Sequence, residues 1–181
     1  MEAERGDVSL EVQNGMRDRA WDLGLAANVP DQPPLLIQPY CRDALILVVP
    51  PRHRLASRGT VPLAELGGES WVLREPGSAS RQAIEQALRT HRVPWQERLM
   101  LPSQEAVKQA VMAGVGIGMV SRLAVTPAEQ QGMLCIVAIA DVQVERQISV
   151  VQRTDTRLPA TAQAFLHVLS QRPRSADPRA R

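Results

Sequence analysis

Residues 105–125 read EAVKQAVMAGVGIGMVSRLAV, and this stretch decides the architecture. Val107, Ala110, Val111 and Gly114 recur at i, i+3, i+4 and i+7, one stripe of a 3.6-residue helix. Glu105, Lys108 and Gln109 fall off that stripe and are expected to face water. Ser103 stands in front as an N-cap. Gly114 stands where a left-handed residue ends a helix. Val115, Ile117, Met119 and Val120 then run between glycines as a buried strand beneath a closely packed helix. The Gly-x-Gly-x-Gly is not a dinucleotide fingerprint, which needs its strand before the glycines and its helix after them. Helix, glycine stop and buried strand describe an α/β binding fold rather than a catalytic centre.

Working outward, residues 8–12 (VSLEV) alternate as a half-buried strand, QNGMRDRAW is a polar connector, and DLGLAA at 22–27 is a second strand. Residues 44–49 (ALILVV) form a continuous apolar run, expected to be a strand covered on both faces. VPLAEL (61–66) reads as one helical turn, WVLRE (71–75) as a strand, and RLML (98–101) as another. Between those strands lies a helix striped by Ala83, Ile84, Ala87 and Leu88. Thr126, Pro127 and Glu129 start a short capped helix. LCIVAI and RQISVVQR are further strands. A final helix carries Ala162, Phe165, Leu166 and Leu169 on its apolar side, and residues 172–181 are charged and expected to be disordered. Strands alternating with helices imply a mainly parallel sheet.

Of the 181 residues, 44% are hydrophobic and 22% charged, as in an ordinary globular protein large enough to bury a core. The net charge is only +2, and one Tyr, one Phe and three Trp cannot line a basic nucleic-acid groove, so direct DNA binding by this chain is not expected. Cys41 and Cys135 read as buried small hydrophobes. Three scattered histidines with no CxxC or HxxxH spacing give no metal site, and no cofactor is called for. The first residues lack a signal peptide, and no run approaches the ~20 apolar residues of a membrane span. The cytoplasm is the expected compartment.

One segment has the physics of ligand binding: REPGSASR, residues 74–81. A strand ends, Pro76 and Gly77 turn the chain, and Ser78 and Ser80 meet the first turn of a helix. Orphan amides and the helix dipole favour an anion there, hydroxyls add donors, and Arg81 offers a bidentate contact to a carboxylate. The plain alternative is a capped helix with a solvated arginine. Ser103 is a second helix-start hydroxyl with the same alternative. No nucleophile elbow, HExxH or Walker loop occurs, and the paired acids Asp141 and Glu145 read as solvated.

VSLEV, DLGLA, ALILVVPPRHRLA, VPLAELGGESWVLREPGSASR, the 105–125 stretch and LPATAQAFLHVL, in that order, resemble the effector-binding domain of LysR-type transcriptional regulators. The resemblance covers nearly everything from Val8 to Leu169. It implies an α/β, two-lobe fold of the periplasmic-binding-protein type 2 class. Lobe 1 would span 1–54 and 142–171, and lobe 2 would span 55–141. A small effector, a carboxylate by preference, would bind in the inter-lobe cleft. It also implies a ligand contact at Ser78 or Ser80 and another at Ser103, which with Gly77 and Arg81 of the same turn make up the candidate site.

The family pattern is not complete. The winged helix-turn-helix is missing, as are the first strand and helix of lobe 1, so the chain reads as truncated. DNA contact would belong to the missing head. A homodimer weakened by the loss fits this reading, with the oligomeric state left open. Three other readings stand beside it: a solute-binding protein of a transport system, a small-molecule enzyme, and a nonfunctional remnant.

Overall fold

The structure, a computed structural model, describes residues 8–125 and 132–171. The expected helix at Thr126 and the tail at 172–181 lie outside the described residues. The chain forms two units. The central unit is Ala44–Glu145, and the terminal unit is Asp7–Asp43 with Arg146–Arg181. The division falls at 43/44 and 145/146, where the sequence placed it at 54/55 and 141/142, so the ALILVV run belongs to the central unit.

That run explains the assignment. It is the second half of β2 (Leu35–Val49). In the central unit it pairs antiparallel with β6 (Gly118–Ser121), in register Leu45↔Ser121 to Val48↔Gly118. It also pairs antiparallel with β7 (Cys135–Ile139), in register Leu47↔Val137 to Val49↔Cys135. Side chains alternate across a strand, and both sets here are covered. Leu45, Leu47 and Val49 join a cluster with Ile84 and Leu88 of α2 (Ala79–Thr90). Val48 joins Val107 and Val111 of α3 (Gln104–Met112). An unbroken apolar run is what two covered faces require.

The rest of the unit adds one strand to this sheet and forms a second, two-stranded one beside it. β3 (Thr60–Val61) runs parallel to β7. It is followed by a 3-10 turn, Leu63–Leu66, whose Leu63 amide donates to Asp141 Oδ1 at 2.9 Å. Asp141 is therefore a cap and not merely a solvated acid. β4 (Ser70–Arg74) and β5 (Gln96–Leu101) are parallel neighbours, and Trp71 of β4 bridges Ile117 in the parallel sense. The sheet is mixed, against the mainly parallel expectation, because β2 enters the unit opposite in direction to both β6 and β7.

The glycine-spaced stretch behaves as its sequence implies. Ser103 Oγ accepts from the Ala106 amide at 3.1 Å, and Gly114 ends the helix at φ +79°. A Cβ at Gly116 would lie 2.3 Å from the Ser70 carbonyl oxygen, and one at Gly118 3.0 Å from Val107 Cγ1. Small residues therefore let α3 and β4 close on this strand. Lys108 is a correction: it is buried, with Nζ 2.5 Å from the Ala124 carbonyl and 2.7 Å from Glu105. Its aliphatic stem packs while the ammonium caps the 3-10 turn Arg122–Ala124.

In the terminal unit, VSLEV is not a strand. It begins α1 (Val8–Arg17), because Val8, Val12 and Met16 at i, i+4 and i+8 also make a helical stripe. Val12 and fully buried Met16 pack with Ala26, Leu35 and Val151. The unit therefore has a helix over β1 (Leu23–Ala27), formed from the segment that was expected to follow a missing one. β1 pairs antiparallel with β8 (Val144–Arg153), from Leu23↔Gln152 to Ala27↔Ile148, and β8 lies between β1 and β2. The last helix, α4 (Ala160–Gln171), has no fully buried residue; Phe165 and Val168 are half exposed. Cys41 and Cys135 are free and only partly buried, so neither is the core thiol expected. No helix among the described residues is long and apolar enough to cross a membrane.

Candidate effector site

In the central unit two helices start side by side. β4 and β5 are parallel and end in register, Arg74 opposite Leu101. Neighbouring strands lie about 4.8 Å apart, so the segments leaving them emerge at one edge. The chain enters α2 at Ser78 and α3 at Ser103, each the N-cap of its helix. β6 reaches the same edge, and Gln104 at the start of α3 ties to it by accepting from the Ser121 amide at 2.7 Å. Crevices at the carboxyl ends of parallel strands are where α/β sheets bind ligands, and two helix N-termini there add orphan amides and positive dipole ends.

Gly77 has φ +89°, a left-handed backbone that a side chain disfavours, and this turns β4 into α2. The Ser78 amide bonds the Glu75 carbonyl at 3.2 Å, and its own carbonyl takes the first helical bond, from Gln82, at 2.9 Å. The Ser78 side chain makes no cap hydrogen bond, although it is nearly buried. Ser80 is fully buried. Ser103 differs: its oxygen accepts from the Ala106 amide, which still leaves its O–H as a donor, and the residue is exposed. The structure thus brings Gly77, Ser78 and Ser80 together in one turn and places Ser103 at the adjoining helix start.

Arg81 is taken up within the unit. Nε bonds Glu85 at 2.7 Å, Nη2 pairs with Glu97 at 2.8 Å, and Nη1 donates to the Arg74 carbonyl at 2.9 Å. Each guanidinium nitrogen has a protein partner, so Arg81 clamps the first turn of α2 to β4 and β5 and is not a spare cation for a ligand. The acid beside the turn is neutralised too: Arg74 forks onto Glu75 at 2.7 and 2.6 Å. Residue types alone identified the serines and the glycine turn. The Arg81–Glu85 pair at i,i+4 is legible as a helix-face pair, whereas Gln104 on Ser121 and Glu97 on Arg81 depend on tertiary contacts that no local motif announces. On the adjoining helix, hydrogen bonds from Lys108 and Gln109 hold the Glu105 carboxyl below its ordinary range. No metal-holding cluster occurs among the described residues.

Comparison with known proteins identifies the family and the fold. The chain is 32% identical over 171 residues to the HTH-type transcriptional regulator CfxR of Cupriavidus necator, covering 90% of this chain and 54% of that protein. It spans about half the length of the curated relatives it matches. The Synechocystis CcmR regulatory domain, solved in complex with 2-PG, matches with a TM-score of 0.79 at 28% identity, over 88% of this chain and 76% of that one. The effector-binding domain of QuiR, solved with shikimate, shares the fold with a TM-score of 0.80 at 16% identity, over 91% of this chain and 77% of that one. The family model described as LysR substrate binding domain matches residues 6–174, and the chain belongs to that family.

Proposed function

We propose that this chain is the effector-sensing part of a LysR-type transcriptional regulator working in the cytoplasm, and that it takes a small carboxylate at the paired helix starts. The observation that carries this is the nearly buried Ser78 hydroxyl, which caps nothing, at an α2 N-terminus whose neighbouring acid is already neutralised. An anion there would accept hydrogen bonds from the backbone amides of the first turn and from the Ser78 hydroxyl, with Ser103 contributing from α3, while Ser80 lies fully buried in the same turn. Gly77 supplies the turn. Arg81 is retained in the proposal as the clamp that holds the donors in place.

Similarity to a regulatory domain solved with 2-PG supports a small acid as the ligand class. The relatives are named as transcriptional regulators, so the chain is assigned a sensing role rather than a reaction. DNA contact is assigned to none of the described residues.

The test is thermal stabilisation of the chain by a panel of small carboxylates, with 2-PG and shikimate included. A ligand at a hundredfold its Kd stabilises by about 2.7 kcal/mol. Ser78→Ala should weaken Kd by roughly tenfold or more, as for one hydrogen bond to a charged group. Absence of saturable stabilisation, or an unchanged Kd in Ser78→Ala, would refute the assignment.

A further inference from the structure

The terminal unit holds a concavity at the end of its sheet. Its volume is about 130 Å³, and its walls include Arg19, Trp21, Arg153, Thr156, Arg157 and Leu158. We infer that it is a second ligand site, for a compact organic monocarboxylate, distinct from the α2 start.

Position comes first. β8 crosses into the terminal unit at Arg146, and this hollow lies beyond Arg153, at the other end of the strand. Seven residues of strand separate the two points, about 23 Å at the usual rise. The hollow is built only from terminal-unit residues and shares none with Gly77, Ser78, Ser80 or Ser103.

The walls then define the chemistry. Trp21 is 45% exposed, yet its ring is held in place. A Cβ built on Gly15 of α1 would sit 2.5–2.8 Å from three ring carbons, so the indole lies directly on the bare backbone of that helix. With Leu158 it gives the hollow an apolar floor. Such a platform, fixed beforehand, costs little side-chain entropy when it meets a ligand.

Charge decides the ligand's head group. Arg153 is already employed: Asp155 forks onto it, and Nη1 donates to the Met16 and Arg17 carbonyls at 3.1 and 3.0 Å. Arg19 is otherwise: among the described residues its one ion contact is Asp155 at 3.7 Å, and its side chain is 70% exposed. It also sits at φ +58°, the left-handed region that residues with a side chain seldom adopt. Arg157 has no hydrogen-bond or ion partner among the described residues. Asp22 also lines the hollow. Three guanidiniums set against Asp22 and Asp155 leave one positive charge in surplus, which matches a monoanion rather than a dianion. A carboxylate accepting from the two under-used guanidiniums, with its apolar body on Trp21 and Leu158, satisfies both walls.

Benzoate and inorganic phosphate, each titrated into the full chain, test the assignment through tryptophan emission. Of the three tryptophans, Trp71 is fully buried and Trp95 is partly buried in the other unit, so the Trp21→Phe variant identifies the share of the signal that comes from Trp21. Benzoate should quench saturably in the parent, and Arg157→Gln and Arg19→Gln should each weaken it by about tenfold. Equilibrium dialysis of benzoate against both arginine variants should show the same loss. Ser78→Ala should leave the quench unchanged, which separates failure here from failure at the α2 start. Quenching lost in Ser78→Ala, retained in both arginine variants, or produced equally by phosphate would overturn the inference.

Discussion

Arg81 and Lys108 show how partner geometry sets the role of a single charged residue. By sequence Arg81 is a cation offered to a ligand and Lys108 a solvated one. In the fold Arg81 serves three protein acceptors, and Lys108 is buried under its own turn. Each has one partner within a helical turn, Glu85 and Glu105, and one sixteen residues away, Glu97 and Ala124, and it is the distant one that the sequence does not announce. Glycine is easier to read at this scale. Gly116→Ala should lower stability by about 1–3 kcal/mol, seen as a lower urea midpoint, because its Cβ would meet a backbone oxygen that cannot retreat. Cys41 offers a second check. Burial, and then the charge of Asp43, push its thiol up, while Arg146 pulls the other way. Asp43→Asn removes one upward push, so alkylation of Cys41 by iodoacetamide at pH 8 should become faster. An unchanged rate would leave burial as the whole cause.

At the scale of elements, periodicity was legible wherever only one period fitted. The 105–125 stretch shows a helical stripe, a glycine stop and a strand, and each appears where its residues require. VSLEV was ambiguous because five residues with apolar ends satisfy both a period of two and a spacing of four. Contacts resolved it: Met16 completes the helical stripe and is wholly buried. The docking of α1 depends on that residue and on Arg153, whose guanidinium donates to the helix's last carbonyls. Met16→Ala should cost about 2–5 kcal/mol. Arg153→Gln should raise amide exchange in α1 while leaving α3, in the other unit, as protected as before. Equal loosening of both helices would show that Arg153 acts more widely than its contacts indicate.

Across the whole molecule, the two-unit plan was readable from the order of segments, but its boundaries were not. An apolar strand inside a longer strand carries no punctuation at the point where the chain passes from one unit to the other. The candidate effector turn was legible for the same reason as the glycine stretch: Pro-Gly followed by serines has one economical backbone solution. The state of its donors was not legible. Acid sensitivity belongs at this scale, since among the described residues each unit has one carboxylate held below its ordinary range. These are Glu105 through Lys108 and Asp155 through Arg153. Lowered folded-state values mean that their contribution is complete above the ordinary values of 4.5 and 3.8 and fades as pH falls through the lower folded ones. Both groups face solvent, so the effect is screened. Unfolding followed by circular dichroism should show a midpoint that drops below about pH 4, and added salt should shrink the drop.

β2 runs fifteen residues without a break and serves the terminal unit with one half and the central unit with the other. A pleated ribbon has a phase. One residue gained or lost near Asp43 would send Leu45, Leu47 and Val49 to the side now filled by Val48 and exchange two differently shaped cores. The length of this ribbon is therefore quantised in steps of two, and homologous chains should vary in their loops while keeping the parity of this strand.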